Sequence, residues 1–318
     1  MVGPVLENRT GGIMNDQLAR LRGSIPPLIT PFRNGEVDYK TYERLLEFHV
    51  ENGSHGVLVN GTTGEPSTLT VDERNRLVEL AVRKIRGRIP VVAATGSQSL
   101  ADTKELTSHA VKAGADALLI VTPYYIRPPQ RGIIEYYLDV TKDYDVPWMV
   151  YHIPGRAAIQ VTLDTIEQLA SRSKTFVGMK QAVADLGFVS ECLEAVGPDF
   201  RVFVGLEELS FPMMTVGAVG LMNAAGNLNP RAFADLCEAV WSNNLSRGRE
   251  LHQRFFQLNK AIFFDTNPIP LKYMMKRIGL IERNEHRLPM APATPELEKR
   301  LDRVLENAGL FSVAGVGK

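Results

Sequence analysis

The sequence predicts a (β/α)8 barrel, an α/β fold of the TIM type, with a C-terminal helical appendage. Short apolar segments alternate eight times with amphipathic helical segments over about 220 residues, close to the size of such a barrel. Most apolar segments are continuous rather than alternating, which is typical of parallel strands covered on both faces. The first predicted βα turn, Thr30-Pro31-Phe32-Arg33, lacks the glycine pattern of a dinucleotide-binding open sheet, so the doubly wound alternative is disfavoured.

The composition is that of a soluble globular protein. Of the 318 residues, 44% are hydrophobic and 23% are charged, and 36 basic residues balance 36 acidic ones. Zero net charge without a basic stripe argues against a nucleic-acid partner. No apolar run reaches the ~20 residues of a membrane span. The polar first 22 residues are predicted to be a flexible leader.

The eight strands are predicted from short runs rich in β-branched and aromatic residues. Two cysteines, Cys192 and Cys237, fall inside helical patterns and are predicted to be buried free thiols, which indicates a cytoplasmic location. The predicted strands are residues 25–29, 56–59, 90–93, 117–121, 148–151, 176–179, 202–204 and 219–222.

Capping residues mark the helices between the strands. Asp38 precedes the first helix, and Thr70 with Glu73 forms a capping box for the second. Asn229-Pro230 supplies a cap and an N1 proline to the eighth. The helices between these are predicted to begin at Ser97 or Ser99, Gln130, Thr162, Asp185 and Glu207. The barrel is therefore predicted over residues 23–243.

After Asn243 no further strand is predicted. Three amphipathic segments, residues 247–264, 267–278 and 294–308, indicate helices. Residues 244–310 are therefore predicted to form a helical region beside the barrel, and residues 311–318 a loose tail.

Lys180 closes the sixth predicted strand, directly after the apolar run Phe176-Val177-Gly178-Met179. Lysine is almost never buried without a partner, because desolvating an ammonium is costly. A desolvated lysine can instead lose its proton, and the neutral amine can attack a carbonyl to form a Schiff base. The position therefore favours a catalytic role for Lys180.

Other polar residues also follow strand ends, which form the active-site face of a barrel. The loop Gly61-Thr62-Thr63-Gly64 is equally well a flexible turn or an anion-binding loop. Tyr151 alone is readily a core tyrosine, and Arg156 a solvated charge. His152 should face away from Tyr151 by strand alternation, and Glu207 and Glu208 are most simply first-turn helix acids.

The sequence also excludes several chemistries. The six histidines show no metal-ligand spacing, and no C-x-x-C occurs, so no metal is expected. Neither a nucleophile elbow nor a Walker A loop is present. A lysine, tyrosines, an arginine and a threonine-rich loop remain, and this set suits carbonyl chemistry on a small anionic keto acid.

These motifs resemble the dihydrodipicolinate synthase and N-acetylneuraminate lyase family of pyruvate-dependent class I aldolases. The resemblance extends in order from about Ser24 to Leu310. Asn267-Pro268-Ile269-Pro270-Leu271-Lys272 and Arg287-Leu288-Pro289-Met290 look most like its synthase branch. The other motifs that carry it are Gly61-Thr62-Thr63-Gly64-Glu65, Thr122-Pro123-Tyr124-Tyr125, Tyr151 with Pro154-Gly155-Arg156, and Gly178-Met179-Lys180.

The resemblance implies a role for each matching residue. Lys180 would form the imine with pyruvate, and Tyr151 would shuttle protons. Thr62 would link Tyr151 to Tyr125, which would reach in from a neighbouring subunit. The implied substrate-binding residues are Thr63, which with nearby amides holds the pyruvate carboxylate, Arg156, which binds the second substrate, and Gly64, Gly205 and Met222.

The resemblance further implies a synthase that condenses pyruvate with a small anionic aldehyde, aspartate 4-semialdehyde, in lysine biosynthesis. No external cofactor and a homotetramer built as a dimer of dimers are implied. The alternatives are an aldolase or dehydratase for another 2-keto acid and a non-catalytic keto-acid sensor. His152, Ala157 and Gln181 depart from the family pattern and are expected around the second-substrate pocket. Residues 65–68 and Arg74 do not match a lysine-feedback site.

Overall fold

The computed structural model describes residues 12–311, and within them eight parallel strands curl into a barrel. Along the sheet the strands pair in the order β1 (Gly23–Ser24), β10 (Gly220–Leu221), β9 (Arg201–Val204), β8 (Phe176–Gln181), β7 (Trp148–His152), β6 (Ala117–Val121), β5 (Val91–Ala94) and β4 (Val57–Val59). Backbone hydrogen bonds from Leu28 N to the Leu58 carbonyl (2.9 Å) and from Leu58 N to the Pro26 carbonyl (3.0 Å) join the segment after β1 to β4, which closes the barrel. The predicted fold class is thus confirmed.

The first strand differs from its prediction over residues 25–29. Regular pairing is confined to β1, because Pro26 and Pro27 have no N–H groups and leave only an isolated bridge from Pro27 to Leu58. A short hairpin that the sequence did not predict follows, with antiparallel strands β2 (Phe32–Arg33) and β3 (Glu36–Val37).

The predicted caps are confirmed. Asp38 accepts a hydrogen bond from Thr41 N, Thr70 and Glu73 form both bonds of the capping box, and Ser99 rather than Ser97 caps the third barrel helix. The helices are α1 (Gly12–Arg20), α2 (Tyr39–Glu51), α3 (Val71–Ile85), α4 (Leu100–Ala113), α5 (Gln130–Thr141), α6 (Pro154–Ala157), α7 (Leu163–Arg172), α8 (Leu186–Val196), α9 (Ser210–Thr215), α10 (Pro230–Trp241), α11 (Leu245–Ala261), α12 (Ile269–Arg277) and α13 (Pro295–Asn307).

The helix predicted to begin at Glu207 is instead two pieces. Residues Glu207–Leu209 form a 3-10 turn, and the α-helix α9 begins only at Ser210. Pro212 has no N–H to donate to the carbonyl of Glu208, so a regular α-helical bond cannot form there. Glu207 consequently begins a 3-10 turn after β9 and is not a first-turn acid of the α-helix.

The structure describes only part of the predicted leader and of the predicted tail. Helix α1 lies within the segment predicted as a leader, whose residues 1–11 lie outside the described residues, as do residues 312–318 of the predicted tail. Helices α11, α12 and α13 follow the barrel, where the sequence predicts three helices. Within the described part of the chain, no helix is long and apolar enough to cross a membrane.

Two apolar clusters lie on the two faces of the curled sheet. The larger one packs the outer strand faces against the helices. The smaller one fills the barrel interior and includes Met149, Tyr151, Val177, Phe203 and Met222. Tyr151 therefore lies on the inner face of β7, at the end where the strand leaves the barrel.

Candidate active site

Lys180 lies on the inner face of β8, directly opposite Tyr151 on β7. A bulge sets this register, since Trp148 pairs with Phe176 but Met149 pairs with Gly178, which leaves Val177 as the extra residue. The strand continues two residues beyond its predicted end, to Gln181. Lys180 is only 3% exposed, so its amine is held in the barrel rather than in solvent.

Two glycines allow close packing around this lysine. A Cβ at Gly178 would lie 2.1 Å from the carbonyl oxygen of Arg201, so only glycine lets β8 and β9 approach this closely. A Cβ at Gly205 would lie 2.9 Å from Cε of Lys180. Gly205, an implied substrate-binding residue, thus borders the lysine stem directly.

Tyr151 and Thr62 stand beside the amine. Lys180 Nζ lies 4.5 Å from the centroid of the Tyr151 ring. Thr62 Oγ1 donates a hydrogen bond of 3.4 Å to the Tyr151 hydroxyl from the loop after β4. The three side chains form a contiguous amine–phenol–hydroxyl set that can bind a carbonyl compound and move a proton.

Thr63 and Gly64 complete the same loop as a buried 3-10 turn. The Thr63 hydroxyl accepts a 2.9 Å hydrogen bond from Nδ2 of Asn267. The Gly64 amide donates to the Gly61 carbonyl at 2.8 Å, and its own carbonyl accepts from Thr30 Oγ1 at 2.7 Å. Gly64 therefore shapes the turn, while the Thr63 hydroxyl retains a proton that it can donate.

Tyr125 and Arg156 follow the ends of β6 and β7 and are exposed in the single chain. Tyr125 is 85% exposed and has a left-handed backbone with φ of 75°, which is uncommon for a residue other than glycine. Arg156 is exposed on the short helix α6. Met222, by contrast, is buried in the barrel interior with Tyr151. Within one chain the core of the site is thus formed by the lysine, Tyr151 and the Thr62–Thr63 turn.

His152 and Gln181 lie behind this site. His152 Nδ1 is 2.7 Å from Gln181 Oε1, and the imidazole packs against Phe188 of α8. Burial lowers the pKa of His152. The predicted outward direction of His152 is confirmed. The expectation that these two residues surround the second-substrate pocket is wrong, because both alternate to the strand face opposite Tyr151 and Lys180.

Glu207 also lies buried at a strand end, although the sequence pattern did not single it out for a site. It is 2% exposed, and its Oε1 accepts a 2.5 Å hydrogen bond from the Ala224 amide. Burial raises the pKa of Glu207 to about 7, although the Ala224 amide and the charge of Lys180 lower it. Its place just after the seventh predicted strand was the available signal, since strand ends form the active face.

A metal centre has no ligand set in this region. Among the residues that the structure describes, no group of three or more histidine, cysteine, aspartate or glutamate side chains could hold a metal ion. Cys192 and Cys237 are both buried and free.

Comparison with known proteins gives a consistent picture. Residues 20–308 match the Dihydrodipicolinate synthetase family. The 4-hydroxy-tetrahydrodipicolinate synthase of Thermus thermophilus is 45% identical over 91% of this chain and 97% of its own. The crystal structure of dihydrodipicolinate synthase from Aquifex aeolicus superimposes with a TM-score of 0.89 at 40% identity, over 91% and 99% of the two chains. A dihydrodipicolinate synthase from Acinetobacter baumannii, complexed with pyruvate, has a TM-score of 0.88 at 33% identity over 91% and 99%.

Proposed function

The chain belongs to the dihydrodipicolinate synthetase family, and from that premise we propose that it is a 4-hydroxy-tetrahydrodipicolinate synthase. It condenses pyruvate with aspartate 4-semialdehyde through a Schiff base on Lys180. The observation that carries this proposal is the buried lysine facing the Tyr151 ring, with Thr62 bonded to the Tyr151 hydroxyl. The pyruvate found in the Acinetobacter baumannii enzyme supports the first substrate.

The chemistry begins when the neutral Lys180 amine attacks the C2 carbonyl of pyruvate. Loss of water gives a protonated imine, which withdraws electrons and makes a methyl proton of pyruvate removable. The resulting enamine carbon adds to the aldehyde carbon of the second substrate and forms the new carbon–carbon bond. Hydrolysis or cyclisation then releases the lysine, so the covalent imine is the only carrier and no external cofactor is required.

Tyr151 moves protons during these steps. An unperturbed tyrosine has a pKa of ~10, so a phenol needs a partner to exchange protons near neutral pH. Thr62 supplies the first partner through its 3.4 Å hydrogen bond. In our proposal Tyr125 of a neighbouring subunit supplies the next, and its 85% exposure in one chain supports that arrangement.

The remaining residues hold the substrates. Thr63 binds the carboxylate of pyruvate, and the exposed Arg156 binds the carboxylate of the semialdehyde, since a guanidinium matches a carboxylate in charge and geometry. Gly205 and Met222 line the pocket beside Lys180. We further propose a homotetramer built from tight dimers and a cytoplasmic location, which the two buried thiols support.

A substrate comparison tests this function. The purified enzyme is incubated with pyruvate plus aspartate 4-semialdehyde, and separately with aldol sugar acids that would release pyruvate on cleavage. We expect turnover only in the condensation assay. Efficient cleavage of a sugar acid without condensation would contradict the proposed synthase and assign the site to another 2-keto acid.

A further inference from the structure

The C-terminal helical region contacts the loop that binds pyruvate. We propose that Asn267, anchored with a buried Glu65–Lys272–His286 cluster, positions the Thr63 hydroxyl to donate to the pyruvate carboxylate. This inference deepens the proposed function and rests on it. Asn267 and Lys272 come from the start of α12 and the residues before it, more than 200 positions after Thr63 in the sequence.

The hydrogen bond between Asn267 and Thr63 determines whether Thr63 can donate its proton. A threonine hydroxyl has one proton to donate and two lone pairs to accept. Asn267 Nδ2 donates to Thr63 Oγ1 at 2.9 Å, so the amide occupies a lone pair. The proton of Thr63 is then left for another acceptor, and a substrate carboxylate beside Lys180 is the acceptor that the reaction brings.

A buried ion cluster joins Lys272 and His286 to Glu65. Lys272 Nζ lies 2.5 Å from Glu65 Oε1 and donates to the carbonyl of Glu285 at 2.8 Å. His286 Nδ1 lies 3.1 Å from Glu65 Oε2. The side chains of these three residues are 0–1% exposed, so the cluster holds Glu65 in a fully desolvated setting. Burial lowers the pKa of Lys272 to about 8 although Glu65 raises it.

Glu65 transmits this anchoring to the loop. It separates two 3-10 turns, Thr62–Gly64 and Pro66–Thr68, and has left-handed backbone angles of φ 54° and ψ 44°. Such angles are unfavourable for a residue with a Cβ and persist only when surrounding contacts hold them. Because Glu65 directly follows the turn, its buried carboxylate fixes where Thr63 points.

Two substitutions at Asn267 test the direction of the hydrogen bond. Asn267→Ala removes the donor, and we expect the KM for pyruvate to rise about tenfold while kcat at saturating pyruvate stays near that of the wild type. Asn267→Asp turns the donor into an acceptor with a negative charge near the substrate carboxylate. It should raise the KM by about a hundredfold or more.

Lys272→Met tests the anchor, since it leaves Glu65 buried without its cation, and the KM for pyruvate should rise. Adding Glu65→Gln to the same chain should reverse part of that rise. If Lys272→Met does not fold, the Asn267 variants decide the proposal. Asp302→Ala is the matched control. It breaks the bonds from Arg277 and Tyr273 that join α12 to α13, without touching the loop, and should leave the KM for pyruvate unchanged.

The outcomes separate this inference from the proposed function. If borohydride traps no pyruvate imine in the wild type, the proposed function fails. If the imine forms but both Asn267 variants keep the wild-type KM for pyruvate, only the positioning role is wrong. A lower kcat with an unchanged KM in these variants would indicate a merely structural role and would also overturn the inference.

Discussion

Tyr151 makes the clearest prediction at the scale of single residues. Tyr151→Phe keeps the ring over Lys180 but removes the hydroxyl that accepts from Thr62. We expect imine formation to persist and turnover to fall at least tenfold, or ~1.4 kcal/mol. Borohydride trapping and steady-state kinetics on one preparation measure both. A wild-type rate would remove Tyr151 from the proton relay.

Glu207 predicts how stability depends on pH. Its pKa rises from 4.5 to about 7 in the folded protein because the carboxyl is buried. The folded state therefore binds more protons than the unfolded state between these values, so this group's contribution to stability is lost as pH rises through about 7. A shift of that size corresponds to about 3 kcal/mol.

Glu207→Gln should remove that loss. The free energy of unfolding of the variant minus that of the wild type should therefore be larger at about pH 8 than at about pH 5. Urea denaturation of both proteins at both pH values measures this difference. Other titrating groups are common to both proteins and cancel in the difference. Parallel pH profiles for the two proteins would refute the buried, raised-pKa description of Glu207.

The sequence could identify a functional residue where the cost of burying its side chain made its position unusual. A lysine after an apolar strand is anomalous, so Lys180 stood out, and strand alternation correctly turned His152 away from Tyr151. Glu207 was missed because an acid beside a predicted helix has an ordinary explanation at the helix N-terminus. Only the packed structure separates a buried carboxyl from a solvated one.

At the scale of elements, the contact between β8 and β9 depends on Gly178. An added Cβ would lie 2.1 Å from the backbone carbonyl of Arg201, and backbone cannot move aside as a side-chain tip can. Gly178→Ala should therefore displace β8 and with it Lys180. We expect lower thermal stability and a loss of imine formation, measured by calorimetry and borohydride trapping.

Gly155→Ala is the matched control for that substitution. A Cβ at Gly155 meets no atom within 4 Å and its backbone is not left-handed, so stability should change little. Equal behaviour of the two alanine variants would contradict the close approach of the strands.

The elements were predictable where local chemistry decides them. Capping residues such as Asp38 and Thr70 marked helix starts within a residue or two, because their side chains bond to the first turn. The bulge at Val177 and the 3-10 turn at Glu207 were not predicted. Both arise from how neighbouring strands and loops fit together, which a single stretch of sequence does not encode.

At the scale of the whole molecule, Tyr125 predicts that the active site is shared between subunits. Lys180→Ala and Tyr125→Phe are each expected to be nearly inactive alone. If Tyr125 acts across a two-fold interface, a hybrid dimer has one intact site, in the Tyr125→Phe subunit. Random pairing during co-expression should then restore about a quarter of wild-type activity.

Hybrid activity no greater than the mean of the two variants would place Tyr125 in its own subunit's site or outside catalysis.

The sequence could imply this sharing only through a family resemblance, because an exposed tyrosine in one chain carries no mark of its partner. The barrel itself was predictable from eight apolar repeats, since burying parallel strands on both faces leaves few architectures.

The covalent imine on Lys180 gives the most direct test of the proposed function. Wild-type protein is incubated with pyruvate, reduced with borohydride, digested and analysed by mass spectrometry, with Lys180→Ala treated in parallel. We expect a pyruvate-derived mass increase on Lys180 in the wild type and no specific adduct in the variant. An adduct on another lysine, an unchanged adduct in Lys180→Ala, or no adduct in the wild type would contradict the proposed function.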